Sequence, residues 1–211
     1  MSRRLPIVFH ARKICIICEG DEEVDYLSKL NELNVWNEKY QIHFINAEGN
    51  GNIAARYQDA FQNGDYDMVF AFIDTDRAPH DQYFEIKRKI NDIYGIENTA
   101  DLVVIFGNPC TMQIVILHFG DEKLESHKKS SNRIIIEKYT GIDSYNANKK
   151  KRQLLFELIN KENYELMKSR VQKLSGDDTK KNSTNFIQLL NWLSDNDESW
   201  IFELEKKLDI I

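Results

Sequence analysis

The sequence predicts an α/β fold, in which a mostly parallel sheet of about four strands is flanked by helices. Short apolar runs of strand length alternate with amphipathic helical patterns through the first half of the chain. Two of these runs lead directly into carboxylates, at Glu19 and at Asp74. The remaining sequence is rich in helical patterns. We therefore expect an α/β core at 1–120 and a helical C-terminal region at 121–211 that packs on it.

The alternating elements define the predicted sheet. Strands are expected at 13–18, 41–46, 68–73 and 102–106, and helices at 21–33, 52–63 and 81–93. This order is typical of β-α-β units, which build parallel sheets. Apolar residues recur on one stripe of the first helix, and its first turn is acidic, where the helix dipole favours negative charge.

Two connections have distinctive sequences. The glycine-rich segment 48–52 lacks the Lys-Ser/Thr pair of a phosphate-binding loop, so we interpret it as a turn before the second helix. After the fourth strand, Pro109 is expected at the first position of an apolar helix.

Composition indicates a globular protein. The chain has 211 residues, of which 42% are hydrophobic, and it contains no apolar stretch of transmembrane length. We expect a cytoplasmic protein with no membrane partner. Its cysteines are Cys15, Cys18 and Cys110. Residues three apart on a strand point to opposite faces, so we interpret Cys15 and Cys18 as buried thiols.

The charge is unevenly distributed. The net charge is -6, but residues 121–181 carry 15 basic and 10 acidic side chains, whereas residues 1–120 carry 11 and 18. An acidic first part agrees with carboxylates gathered around a cation, and a basic segment beside it suits a polyanion. Solvated helix surfaces explain the basic segment equally well.

The carboxylates after the first and third strands predict a metal site. Parallel strands present their carboxyl ends at one edge of the sheet, where ligands bind. Asp74 and Asp76 are two residues apart, so their side chains can leave the same side of the backbone. Mg²⁺ needs only one or two protein carboxylates together with water and phosphate oxygens. We therefore expect Glu19, Asp74 and Asp76 to bind Mg²⁺ or Mn²⁺.

Four segments resemble a known family. The segment 17–27, ICEGDEEVDYL, is similar to the first motif of Toprim (topoisomerase-primase) domains, and in particular of RloB-like proteins. FIDTDR at 72–77 resembles their Asp-x-Asp motif. Asn-Pro-Cys at 108–110, leading to His-Phe at 118–119, and NSTNF at 182–186 also resemble segments of this family. One departure is Thr111-Met112, where RloB-like proteins usually have Phe-Glu.

The resemblance implies a Toprim-like Rossmannoid fold and Mg²⁺-dependent phosphoryl-transfer chemistry on DNA or RNA. It assigns catalytic roles to Glu19, Glu23, Asp74 and Asp76. It also implies an association with phage defence, restriction loci or mobile elements, and an ATPase as a possible partner protein.

Candidate substrate-binding residues are basic or polar side chains near the expected site. They are Arg77, Asn108, Lys149, Lys150, Lys151 and Arg152. Each also has an ordinary explanation: an ion pair for Arg77, a helix N-cap for Asn108 and a solvated helix face for 149–152. We expect His118, in an apolar segment, to be a core residue.

Three functions remain open from the sequence. The first is a metal-dependent nuclease of the Toprim type. The second is a non-catalytic Toprim-like binding or regulatory subunit of an ATPase-containing defence complex. The third is a phosphotransferase or phosphatase in which Asp74 is the phosphoacceptor.

Overall fold

The computed structural model of the protein describes residues 11–210. Its centre is a four-stranded sheet in which every neighbouring pair of strands is parallel, in the order β2-β1-β3-β4. The strands are β1 (Arg12–Cys18), β2 (Tyr40–Asn46), β3 (Met68–Asp74) and β4 (Val104–Gly107). The predicted α/β fold with a parallel sheet flanked by helices is confirmed.

The strand order places the two acid-bearing strands side by side. β1 pairs with β3 from Ile14 opposite Met68 to Cys18 opposite Phe72. The chain leaves β1 toward β2 on one side and later returns to β3 on the other side. Such a reversal of strand order opens a crevice beyond the carboxyl ends of the strands, where α/β proteins bind ligands.

Helices connect the strands and build the C-terminal region. The first part contains α1 (Asp21–Glu32), α2 (Asn50–Asn63), α3 (Asp81–Tyr94), α4 (Ala100–Val103) and α5 (Met112–Ile116). The C-terminal part contains α6 (Lys129–Thr140), α7 (Lys149–Glu157), α8 (Lys161–Val171), α9 (Phe186–Ser194) and α10 (Ser199–Lys207).

Two details of the predicted elements are wrong. Residues 102 and 103 belong to the short helix α4, and β4 begins at Val104. Pro109 does not begin a helix. It lies in a turn, and its carbonyl accepts a bond from the backbone N of Asp76 at 3.1 Å. The helix begins at Met112 instead, after Thr111. The turn is fixed by contacts with residues at the end of β3, which are distant in sequence and cannot be predicted from the residues near Pro109.

The C-terminal region is joined to the sheet along β4. The side chain of Asn185 accepts a bond from Phe106 N at 2.9 Å and donates one to Val104 O at 2.8 Å. A bridge between Gly107 and Thr184 continues this pairing. The segment 182–186 therefore satisfies backbone groups that the edge strand would otherwise expose.

The apolar core covers both faces of the sheet. Cys15 and Cys18 are fully buried, which confirms their interpretation as core thiols. Burial raises the pKa of Cys15 to about 12, so its thiol stays protonated at neutral pH. Within the described residues, no helix is both long and apolar enough to span a bilayer.

Candidate acidic cleft at the carboxyl edge of the sheet

A cleft of about 530 Å³ opens at the carboxyl ends of β1 and β3. Most of the side chains that line it are carboxylates, and we call it the acidic cleft. Its lining comprises Glu19, Gly20, Asp21, Glu22, Glu23, Asn46, Glu48, Gly49, Asp74, Asp76, His127 and Arg152. The four residues predicted to be catalytic therefore lie around one opening.

Glu19 connects the ends of the two central strands. Its Oε2 accepts a bond from the backbone N of Asp74 at 3.3 Å. Its own carbonyl accepts a bond from Gly49 N at 2.8 Å, which holds the turn after β2 against the end of β1. Gly49 has a φ of 116°, a conformation open to glycine but costly for other residues. The glycine-rich turn thus shapes one wall of the acidic cleft.

Asp74 is held by the turn that follows β4. Its Oδ1 accepts two bonds, from Thr111 N at 2.6 Å and from Thr111 Oγ1 at 2.8 Å. Desolvation, with smaller contributions from Glu23 and Glu19, raises the pKa of Asp74 well above its usual range. The two bonds from Thr111 oppose this shift without cancelling it. Burial and the two glutamates therefore disfavour the ionised form of Asp74, which a bound cation would favour.

Asp76 lies just beyond the end of β3. Its backbone is left-handed, with a φ of 56°, so the strand ends before it. Its Oδ2 accepts a bond from Asn50 Nδ2 at 3.2 Å. The carboxylate is thereby linked to the first turn of α2, which begins at Asn50.

Two neighbouring glutamates at the start of α1 have different partners. Oε2 of Glu23 accepts a bond from Gly20 N at 3.0 Å and so caps the helix. Oε1 of Glu22 accepts a bond from the buried phenol of Tyr145 at 2.6 Å. Both glutamates are less than a tenth exposed. Tyr145 thus links the acidic cleft to the C-terminal region.

Arg152 is the cation in the lining of the acidic cleft. Its Nε donates to Asp25 Oδ2 at 2.7 Å, and its Nη2 donates to Asp21 Oδ2 at 3.1 Å. Its Nη1 donates to the carbonyl of Ala147 at 2.7 Å. The side chain is 11% exposed. An arginine on α7 is thereby fixed against the first two turns of α1.

The other predicted substrate-binding residues lie outside the lining. Arg77 is exposed in the turn after β3, and Lys149 and Lys150 are exposed at the start of α7. Lys151 Nζ donates to Asp143 Oδ1 at 2.8 Å. Asn108 is 3% exposed.

Asn108 is instead part of the protein interior. Its Nδ2 donates to Asp178 O at 3.0 Å, and its backbone N donates to Ser183 O at 3.0 Å. It does not cap a helix, because α5 begins four residues later, at Met112. Its contacts hold the turn after β4 to the C-terminal region.

Sequence reasoning missed several residues of the acidic cleft. In the sequence, Asp21 and Glu22 belong to an acidic first turn that the helix dipole explains, and His127 has no metal-ligand spacing. Nothing local points to His127 or Tyr145, which approach the cleft only through tertiary packing. Arg152 had a usable signal, because Leu155 and Phe156 follow at helical spacing and mark its side as the buried face of α7.

His118 is a core residue, as predicted. It is 1% exposed, and its Nε2 lies 3.0 Å from the hydroxyl of Tyr26. Burial, the largest influence, lowers the pKa of His118 to about 3. The ring is therefore neutral at physiological pH.

Among the residues described, the oxygen atoms around the acidic cleft suit a hard divalent cation in their chemistry but not in their number at any one place. Carboxylate oxygens are the ligands that Mg²⁺ and Mn²⁺ prefer. The pKa of Asp74 is raised by desolvation and, to a smaller extent, by the charges of Glu23 and Glu19, and a bound cation would oppose this shift. Yet in the part of the chain described, no group of three or more His, Cys, Asp or Glu side chains is arranged to hold a metal ion. The arrangement suits an ion held by one or two carboxylates, with water and substrate oxygens completing its shell.

Comparison with known proteins identified no relatives. No protein-family model, curated protein or solved structure matches the chain.

Proposed function

We propose that this protein is a Mg²⁺- or Mn²⁺-dependent nuclease that hydrolyses phosphodiester bonds in DNA or RNA. The observation that carries the proposal is the meeting of Glu19 and Asp74 at the ends of adjacent parallel strands. The resemblance of the surrounding motifs to Toprim and RloB-like proteins supports the same chemistry. It also leads us to propose a role in phage defence or in a restriction-associated or mobile-element system.

Asp74 and Asp76 are proposed to hold the cation, with Glu19 beside them. Thr111 fixes one oxygen of Asp74, and Asn50 fixes one oxygen of Asp76, so both carboxylates are oriented before an ion binds. A divalent ion held there would neutralise nonbridging phosphate oxygens, lower the pKa of the attacking water and stabilise the leaving 3′ oxygen.

Glu19 and Glu23 are the candidates for proton transfer. One of them would accept the proton that the water loses as it attacks phosphorus, while the bond from phosphorus to the 3′ oxygen breaks. Glu23 is bound to Gly20 N and is 4% exposed, so its position is fixed relative to Glu19. This rigidity suits a group that must meet a proton at a defined place.

Arg152 is proposed to contact the substrate directly. It lines the acidic cleft, where its fixed guanidinium would attract a phosphate group that the surrounding carboxylates repel. Lys149 and Lys150 lie exposed at the start of the same helix and are suited to the flanking phosphates of a longer strand. Arg77 remains a further candidate beyond β3.

The test is cleavage of single-stranded DNA, double-stranded DNA and structured RNA with Mg²⁺ or Mn²⁺. We expect at least one substrate to be cut, and cutting to fall about 100-fold or more in Asp74→Asn and in Asp76→Asn. The matched control is Asp92→Asn, which removes the carboxylate paired with Arg88 on α3 at 2.9 Å. Cleavage that persists in the two cleft variants would remove the proposed site.

A regulatory or binding subunit of an ATPase-containing defence complex is the second candidate. The side chain of Met112, at the position of a family acid, is 3% exposed in the core and supplies no oxygen ligand. The absence of a three-residue metal group among residues 11–210 points the same way. Copurification with an ATPase, together with no cleavage by the isolated folded chain, would favour this candidate over the nuclease.

A further inference from the structure

The guanidinium of Arg152 keeps part of its hydrogen-bonding capacity. An arginine has five N–H donors, and the three bonds to Asp25, Asp21 and Ala147 use one donor on each nitrogen. One N–H on Nη1 and one on Nη2 thus have no partner among the described residues. Because Arg152 lines the acidic cleft, these two donors are the part of its guanidinium left for a group bound there.

Asp25 differs from the other partners of Arg152. Asp21 and Arg152 belong to the lining of the acidic cleft, but Asp25 does not. It lies one turn further along α1 than Asp21. Its Oδ2 accepts a bond at 2.7 Å from Nε of Arg152, the nitrogen that joins the guanidinium to the rest of the side chain. A bond at Nε restricts rotation of that plane, so Asp25 influences the cleft through the orientation of Arg152.

We propose that Asp25 is a positioning residue that orients Arg152 so that its two remaining N–H groups bind a phosphate of the nucleic acid strand in the acidic cleft. This inference rests on the proposed nuclease function. Paired N–H donors in a fixed plane match two phosphate oxygens, which a lysine ammonium cannot do in the same way. Two of the contacts that hold the guanidinium come from different segments: Nε donates to Asp25 on α1, and Nη1 donates to the carbonyl of Ala147 in the segment before α7.

A purely structural role for Asp25 gives a different expectation. In that case the pair would only hold α7 against α1, and its loss would lower the melting temperature without a specific effect on substrate affinity. A positioning role predicts a change in KM with little change in kcat, because the contact is made equally to the bound substrate and to the transition state.

The experiment is a double-mutant cycle of Asp25→Asn and Arg152→Ala. Binding of a single-stranded oligonucleotide is measured by fluorescence anisotropy with Ca²⁺ in place of Mg²⁺, and cleavage of the same strand is measured with Mg²⁺. We expect Asp25→Asn to weaken binding and raise KM about 5- to 10-fold with kcat within about twofold, and Arg152→Ala to weaken binding more strongly. The double variant should bind no worse than Arg152→Ala, because Asp25 acts through Arg152.

The matched control is Glu198→Gln. Like Asp25, Glu198 accepts a bond from the Nε of an arginine that is distant in sequence, in this case Arg12 at 2.9 Å. Glu198 does not line the acidic cleft. We expect this variant to bind and cleave as the wild type does. Partial rescue by Asp25→Glu would support the positioning role.

The outcomes separate the two proposals. Cleavage by the wild type with additive effects of Asp25→Asn and Arg152→Ala on binding overturns the positioning role alone. Binding without cleavage by the wild type overturns the nuclease, while a non-additive cycle on binding still supports the role of Asp25. A wild type that binds no oligonucleotide overturns the phosphate contact, and the cleavage assay then decides the nuclease separately.

Discussion

Thr111 donates two hydrogen bonds to one oxygen of Asp74, from its backbone N at 2.6 Å and from its hydroxyl at 2.8 Å. Asp74 ends β3, and Thr111 precedes α5 in the turn after the neighbouring strand. The pair therefore fixes the carboxylate from outside its own strand. Hydrogen bonds to a carboxylate favour its charged form, which desolvation at this place disfavours.

Thr111→Val tests this support. The change removes the hydroxyl donor, keeps the backbone donor and nearly keeps the side-chain volume. Loss of one bond should raise the pKa of Asp74 further, so we expect metal-dependent cleavage to fall about tenfold at pH 7 and its pH profile to move to higher pH. Profiles of the variant and wild type, measured from pH 6 to pH 9, check this.

Thr140→Val is the matched control for Thr111→Val. It removes a hydroxyl that donates to Ile136 O within α6 and that does not line the acidic cleft. An unchanged profile in Thr111→Val, or an equal shift in Thr140→Val, would show that the hydroxyl does not tune Asp74.

Asp74→Asn should stabilise the protein at alkaline pH. Because the pKa of Asp74 is raised in the folded state from its ordinary value of 3.8, the folded state holds this proton more tightly than the unfolded state does. Stability from this group is therefore lost as pH rises through the folded pKa. We expect the variant to melt about 2–4 °C above the wild type at pH 8, the shift that about 1 kcal/mol produces in a chain of this size, and to converge with it near pH 4.

Divalent cations should reverse this difference. Mg²⁺ at 10 mM is expected to raise the melting temperature of the wild type at pH 8 and to leave that of Asp74→Asn unchanged, because the ion stabilises the carboxylate form. Equal responses of the two proteins to Mg²⁺ would place the ion elsewhere.

His118 should make the protein sensitive to acid. Its pKa is lowered from 6.5 to about 3 by burial, so below pH 6.5 the unfolded state takes up a proton that the folded state does not. Stability from this group is present above pH 6.5 and declines as pH falls. Between pH 7 and pH 5 the wild type should lose about 2 kcal/mol more than His118→Gln, as measured by urea unfolding. Parallel losses in the two proteins would refute this origin of acid sensitivity.

Gly107 permits the turn that presents Thr111. A Cβ built at this position would lie 2.8 Å from the backbone N of Thr111 and 2.8 Å from the carbonyl carbon of Cys110. Gly107→Ala should therefore displace the turn, cost about 1–3 kcal/mol in urea unfolding and reduce cleavage. Gly176→Ala is the control, because a Cβ there meets nothing within 4 Å. Equal free energies of unfolding for the two variants would show that the turn accommodates a Cβ at position 107 without loss of stability.

The sequence predicted the sheet and the carboxylates at its edge because both depend on local patterns. Long apolar runs mark buried parallel strands, and the residue that follows such a run must lie at the carboxyl edge. Glu19 and Asp74 were therefore placed near each other without knowledge of tertiary contacts, and the structure pairs them directly.

The remainder of the acidic cleft depends on contacts between distant parts of the chain. Glu22 is joined to Tyr145 and Asp25 to Arg152, in both cases between α1 and the C-terminal region. No periodicity in α1 distinguishes an acid that meets a partner from one that faces solvent. The expected helix start at Pro109 is wrong for a related reason, because the carbonyl of Pro109 accepts a bond from the backbone N of Asp76, which lies just after β3.

Calorimetric titration of Mn²⁺ into the wild type and into Asp74→Asn tests the central claim most directly, because the proposed chemistry requires a cation in the acidic cleft. The wild type should bind Mn²⁺ at pH 7.5 with release of heat or protons. The affinity of Asp74→Asn for Mn²⁺ should be at least about tenfold lower, with circular dichroism showing that the variant is folded. Absence of Mn²⁺ binding by the wild type, or equal binding by both proteins, would contradict a metal site at the meeting of Glu19 and Asp74.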